Sequence, residues 1–229
     1  MYKLFDLNSP FMRAVSRFTE LVMLSFYWFV CCLPVITIGP ATAALCFVAM
    51  KIAKKEDIRV SVTFFQSFKV NFKQGVILNL LFLVVCAVLA VDLYYFAFIQ
   101  LGTGTGITLM QAAMMAIAVW VLCIMFYAYP LQAQFYNPIS RTLRNAAVLA
   151  MQKPINTVII FVLNVSPLLF GYLSVKLTNS LELLVRAAPV LVLVAPGVLA
   201  YLCGKRFVKI FQPYLEPEET GETEEETEE

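Results

Sequence analysis

Leu33-Pro34-Val35-Ile36-Thr37-Ile38-Gly39-Pro40-Ala41-Thr42 interrupts an apolar region that runs from about Phe18 to Met50. That region is too long for one ordinary membrane span, and how it breaks decides the topology of everything after it. Proline inside a helix removes a hydrogen bond and clashes with the preceding turn, so a helix should end at Leu33. Gly39-Pro40 then reads as a fresh start, because proline at the first helical position loses nothing by lacking an N–H. The sequence therefore predicts a helical hairpin whose turn sits at, or slightly inside, the far face of a bilayer.

The flanks fit that hairpin. Ser9-Pro10 is a helix start, a serine cap followed by proline. Pro10 to Leu33 is 24 residues, about 36 Å of helix, enough to span with some tilt. Arg13 and Arg17 place its first turns among headgroups. The second helix, Pro40 to about Lys54, is short for a full crossing, which puts the Thr37–Thr42 turn partly within the membrane, where its backbone must be covered by protein. Ala41-Thr42-Ala43 superficially resembles a signal-peptidase site, but the apolar core before it is too long and proline-broken, so the segment is expected to be retained.

Composition points the same way. The 229 residues are 61% hydrophobic and only 14% charged, with mean hydropathy +0.80. Soluble domains are roughly 45–50% apolar and about 25% charged. Several apolar runs exceed the roughly 18 residues that mark a transmembrane helix. The expected fold is all-α, a polytopic membrane bundle of about six transmembrane helices in one domain over residues 1–210. Residues 211–229 should form a disordered acidic cytoplasmic tail, nearly all Glu and Thr from Glu216 onward.

Beyond the hairpin, Lys51 to Lys73 is basic and polar, with Phe64, Phe65, Phe68 and Phe72 at helical spacing beside Lys69 and Lys73. This reads as an interfacial amphipathic helix, a contact surface for lipid or for a partner. A third span follows from Gly75 to Leu101 and a fourth from Ile107 to Tyr129, stopping at Pro130. Ala112 and Ala116 on the fourth would admit a close helix neighbour. Ile139 to Lys153 is a second basic amphipathic segment. The fifth span, Pro154 to Val175, contains Asn164 and Ser166-Pro167. The sixth, about Ala187 to Cys203, contains Pro196-Gly197. With six spans and the amino terminus inside, only Lys176 and Arg186 of the 17 basic residues fall outside, leaving 17 − 2 = 15 inside. The positive-inside rule thus predicts that both termini are cytoplasmic.

Little here resembles catalysis. The chain has no histidine, which excludes His-based triads, His metal ligands and imidazole relays. The six cysteines lie in apolar spans without a C-x-x-C. Gly102-Thr103-Gly104-Thr105-Gly106 is a tight connection; a phosphate loop needs a preceding strand and a following lysine. Paired carboxylates and an activated serine are missing too. No enzyme activity, cofactor, metal or nucleic-acid partner is expected. Two polar sites stand out. Asp92 is the acid deepest within an apolar run, but Tyr94 and Tyr95 beside it mark an interfacial belt. Thr37, Gly39 and Thr42 open the second helix, where free N–H groups can hold an anion or a sugar hydroxyl. The plainer reading is that the threonines satisfy a buried turn. Asn79, Gln111 and Asn164 are expected to bond between helices.

Three segments together, Leu4-Phe5-Asp6-Leu7-Asn8-Ser9-Pro10, the Leu33–Thr42 stretch and Phe64-Phe65-Gln66-Ser67-Phe68-Lys69-Val70-Asn71-Phe72-Lys73-Gln74, resemble the YesL family of bacterial membrane proteins of unknown function. The resemblance covers roughly residues 1–210. It implies a bacterial plasma-membrane protein whose gene lies beside carbohydrate ABC transporters, solute-binding proteins, glycosidases and two-component sensors, and it implies no catalytic residues. The expectation that follows is a non-enzymatic accessory component of carbohydrate uptake or sensing, touching an ABC permease, its ATPase or a sensor kinase. A small secondary transporter is the competing expectation, since such folds place binding sites at broken helices. Asp92 and Glu20 are thin material for ion coupling.

Overall fold

The computed structural model describes residues 10–98, 105–135, 137–178 and 181–215. Among these residues seven α-helices follow one another: α1 (Pro10–Cys32), α2 (Ile38–Ala53), α3 (Val60–Phe98), α4 (Thr105–Gln134), α5 (Ile139–Gln152), α6 (Pro154–Thr178) and α7 (Leu181–Leu215). A single 3-10 turn, Val35–Thr37, joins α1 to α2. The described residues contain no strand. Among the described residues, five helical stretches are long and apolar enough to cross a membrane: Phe11–Cys32, Val35–Ala53, Val60–Asp92, Leu109–Gln134 and Pro154–Leu173. The chain is a helical bundle of the multi-pass membrane type. The expected sixth span falls within α7, whose described side chains begin at Val192.

The break forms where proline chemistry places it. α1 ends at Cys32, two residues before Pro34. The chain then tightens into the 3-10 turn, with Thr37 N–H bonded to Pro34 O at 3.0 Å. α2 starts two residues before Pro40, within the first turn, where the lost N–H has no intrahelical partner to miss.

α2 is short but central. Gly39, Pro40, Ala41, Ala43, Ala44, Leu45, Val48, Ala49, Met50 and Ile52 are all buried, and α2 packs against α1, α3, α4 and α7. Small side chains make this possible, because membrane helices gain by close van der Waals approach rather than by leaving water. A Cβ on Gly75 of α3 would stand 2.7 Å from Pro40 N and 2.8 Å from Pro40 Cα; one on Gly39 would run into Gly75 O and stand 2.7 Å from Asn79 Cβ. Two backbones meet there. Gly197 of α7 meets α1 in the same way, its N–H donating to Ser25 Oγ at 2.8 Å.

Three sequence expectations are corrected. The segment around Phe64–Lys73 is not a separate surface helix: α3 runs unbroken from Val60 to Phe98. Its first half lies antiparallel along α2, with Val60 and Phe64 packed in one cluster with Val48 and Ile52 and Gly75 against Pro40. The glycine read as a start is a contact point inside a helix. Second, α4 does not stop at Pro130 but continues to Gln134. Proline costs about 3 kcal/mol inside a helix, and the burial of Tyr127, Ala128, Tyr129 and Leu131 around it offsets that locally. Third, α7 continues through Lys205, Arg206 and Lys209 to Leu215, because Phe207, Ile210 and Phe211 are buried in a cluster with Tyr127, Leu131 and Leu149. The acidic tail from Glu216 lies outside the described residues, as do the amino-terminal nine residues and Gly102 to Gly104. α5 is the amphipathic helix expected: Thr142, Ala146, Leu149 and Ala150 are buried, and Arg141 and Arg144 are exposed.

Candidate functional site

The turn between α1 and α2 is held by hydroxyls and one amide. Thr37 Oγ1 lies 2.6 Å from Cys31 O and 2.7 Å from Pro34 O, a shared donation that caps the end of α1. Thr42 Oγ1 donates to Ile38 O at 2.7 Å and accepts from Trp28 Nε1 at 3.2 Å. Asn79 of α3 reaches over, its Nδ2 donating to Val35 O at 2.9 Å, and its Oδ1 accepts from Tyr129 O–H of α4 at 3.4 Å. Four elements thus converge through Asn79, Trp28, Thr42 and Tyr129. Thr37 and Thr42 both spend their protons on backbone carbonyls, and Gly39 sits against Gly75.

The other candidates lie elsewhere. Asp92 is half-buried on α3, 13 residues past Asn79, about 20 Å along the axis; it is not part of the turn. The aromatic segment divides. Phe64 is fully buried and Phe68 half-buried, while Phe65, Phe72, Lys69 and Lys73 are exposed. Tyr27 of α1 lies 6.0 Å from the Phe64 ring and 5.5 Å from the Phe65 ring, and Phe64, Phe68 and Phe72 continue a ladder up α3 at 6.4 and 5.5 Å. The buried side of this half of α3 also carries Ser67, Asn71 and Gly75. Among the described residues, no three Cys, Asp or Glu side chains converge.

Beside the turn lies a cavity of about 930 Å³. The end of α1, the face of α2 bearing Thr42 and Cys46, Tyr129 of α4, and the helices α6 and α7 line it. Its wall is almost wholly apolar. Periodicity could not reveal it, since a void between helices depends on how they cross. The signals present were small or imino residues on spans: Gly171, Ala195, Pro167 and Pro196 all line it. Asn164, read as an interhelical donor, bonds Ile160 O at 2.8 Å and reaches Cys203 Sγ of α7 at 3.5 Å. Sequence reasoning missed Trp28, Tyr129 and Gly197, whose partners are 14, 50 and 172 residues away.

Residues 21–93 match a family described as protein of unknown function, DUF624. The matched stretch holds the second half of α1, the turn, α2 and most of α3, and so includes the Gly39–Gly75 contact and Asn79. No curated protein and no solved structure matches the chain.

Proposed function

We propose that this chain is a non-enzymatic accessory membrane protein that works beside a carbohydrate uptake or sensing system in a bacterial plasma membrane, with both termini cytoplasmic. The observation that carries the reading is the two-sidedness of α3. Its inner side is fixed against α2, so Phe65, Gln66, Lys69, Phe72 and Lys73 are presented outward on a rigid helix. Aromatic area combined with fixed cations suits a partner surface, and a helix already ordered loses little entropy on docking. The association with sugar uptake comes from the YesL-like segments, whose family implies such neighbours. The partner is an ABC permease, its ATPase or a sensor kinase.

Photo-crosslinkers at Gln66 and Lys69, both exposed, test this in intact membranes. Crosslinks to one of those three partners support it. A second reading, a small secondary transporter, is favoured by the cavity beside the broken α1–α2 hairpin. Recovery of lipid alone at both positions, together with proton- or sodium-driven solute uptake by the purified protein in liposomes, would establish the transporter instead.

A further inference from the structure

We propose that the cavity beside the α1–α2 turn is a lateral binding site for an acyl chain of a bilayer phospholipid, and that it does not bind sugar. This stands independently of the accessory role. Most polar groups in the wall are already paired. Trp28 Nε1 is committed to Thr42, Thr42 to Ile38 O, Asn164 Nδ2 to Ile160 O and Tyr129 O–H to Asn79. Tyr172 keeps a hydroxyl donor at the exposed mouth, where its oxygen accepts from Lys176. Farther in, a sugar would have to bury several hydroxyls against donors already used, and each unpaired hydroxyl carries a desolvation penalty. Hydrocarbon carries none.

The cavity also opens toward the bilayer. The rim is mostly exposed apolar side chain, with Phe29 at 41% on α1, Leu33 at 69% just past its end and Leu168 at 75% on α6, while Tyr172, 62% exposed on α6, brings a hydroxyl that accepts from Lys176 Nζ at 3.5 Å. Phe29, Leu168 and Tyr172 lie on stretches that qualify as membrane spans, so the medium at the rim is lipid tails. Along Phe29, Leu33 and Leu168 the apolar surface outside continues inward. An apolar cleft open to the bilayer is poorly wetted, so hydrocarbon is the medium that fills it. Gly171, Ala195 and Ala200 leave the inner wall low and smooth, the shape an extended chain occupies.

The two tryptophans make the site readable: Trp28 lines the cavity, and Trp120 of α4 is exposed on the outer surface. The chain is reconstituted in phosphatidylcholine–phosphatidylglycerol vesicles whose acyl chains carry bromine, a contact quencher of indole fluorescence. With Trp120→Phe, the remaining Trp28 should be quenched at least half as strongly as the lipid-facing Trp120 is in Trp28→Phe. Filling the cavity with Ala195→Phe should cut the quenching of Trp28 threefold or more and leave that of Trp120 unchanged. Gly171→Phe, on the α6 wall, repeats the test through a different helix in case the first substitution folds poorly. Maltose or glucose at millimolar concentration should change neither signal. Trp28 escaping the brominated chains, quenching that survives both filling substitutions, or relief of quenching by sugar would each overturn the proposal.

Discussion

At the scale of single residues, backbone geometry carries the sharpest expectations. Lys55, just past α2, has φ 64°, the left-handed region that costs an L-residue about 1–2 kcal/mol. The hydrogen bonds explain why: Glu56 N–H reaches Lys51 O at 3.2 Å and Lys55 N–H reaches Ile52 O at 3.0 Å, the paired closure of a Schellman cap, where glycine is the usual occupant. Lys55→Gly should therefore stabilise the folded chain by about 0.5–1 kcal/mol after the extra freedom glycine gives the unfolded chain. Thermal unfolding in detergent reads this as a rise of about 2 °C; a fall would mean the cap is not closed this way. The nearby Lys51–Glu56 pair, 3.3 Å apart and about one-third exposed on each side, adds little, as surface pairs do. The glycines at helix contacts should respond in a graded way. Gly75→Ala forces Cβ against Pro40, whereas Gly204→Ala meets the Ala49 backbone at 3.2 Å. The first should lose about 1–3 kcal/mol and the second clearly less. Gly39→Leu should lower folded yield more than either, measured by monodisperse recovery in size exclusion, and unchanged yield would mean a loosely packed turn.

At the scale of elements, Asn79 is the tie that holds the α1–α2 turn to the α3–α4 pair. Its amide nitrogen satisfies Val35 O at 2.9 Å, while Tyr129 gives it only a long 3.4 Å bond. Asn79→Ala should accordingly cost about 1–3 kcal/mol by leaving groups unpaired. Tyr129→Phe should cost less than about 1 kcal/mol, and the double variant less than the sum, since the bonds share one amide. Equal losses from the two single variants would show that the turn is not held through Val35. The elements also show why pattern reading placed some boundaries wrongly. Pro130 and Gly75 carry local signals to stop or restart a helix, and both were overridden by what they touch. Pro34, with no such packing and with Leu33, Val35 and Ile36 exposed, kept its local effect.

At the scale of the whole molecule, the distribution of charge sets the expected orientation. The positive-inside rule places the basic residues of the α2–α3 connection and of α5 on the cytoplasmic side as an expectation: single cysteines at residues 57 and 145 on a cysteine-free background should react with a membrane-impermeant maleimide only after the membrane is permeabilised. Labelling of either in intact cells would invert the topology. Both positions are exposed, so absence of labelling after permeabilisation would also count against the placement.

What the amino-acid sequence determined by itself is everything governed by local chemistry and by the medium. Hydropathy alone demands helices, because a backbone in hydrocarbon must satisfy its own hydrogen bonds. Pro34 alone ends α1, and the polar–apolar alternation of Ile139–Lys153 alone yields an amphipathic α5. Thr37 and Thr42 were legible as turn fasteners because a short hydroxyl side chain can return to its own backbone without help from afar. Tertiary structure decided what depends on a partner distant in the chain. Nothing in the run Val60–Phe98 announces that Phe64 faces α2 while Phe65 and Lys69 face outward, since phenylalanine suits both a protein interior and a lipid surface. Apolar periodicity tells inside from outside only when the outside is water, and here it is not. For the same reason the central place of α2, the meeting of Gly39 with Gly75 and the cavity between α1, α2, α6 and α7 arose only from how the helices cross.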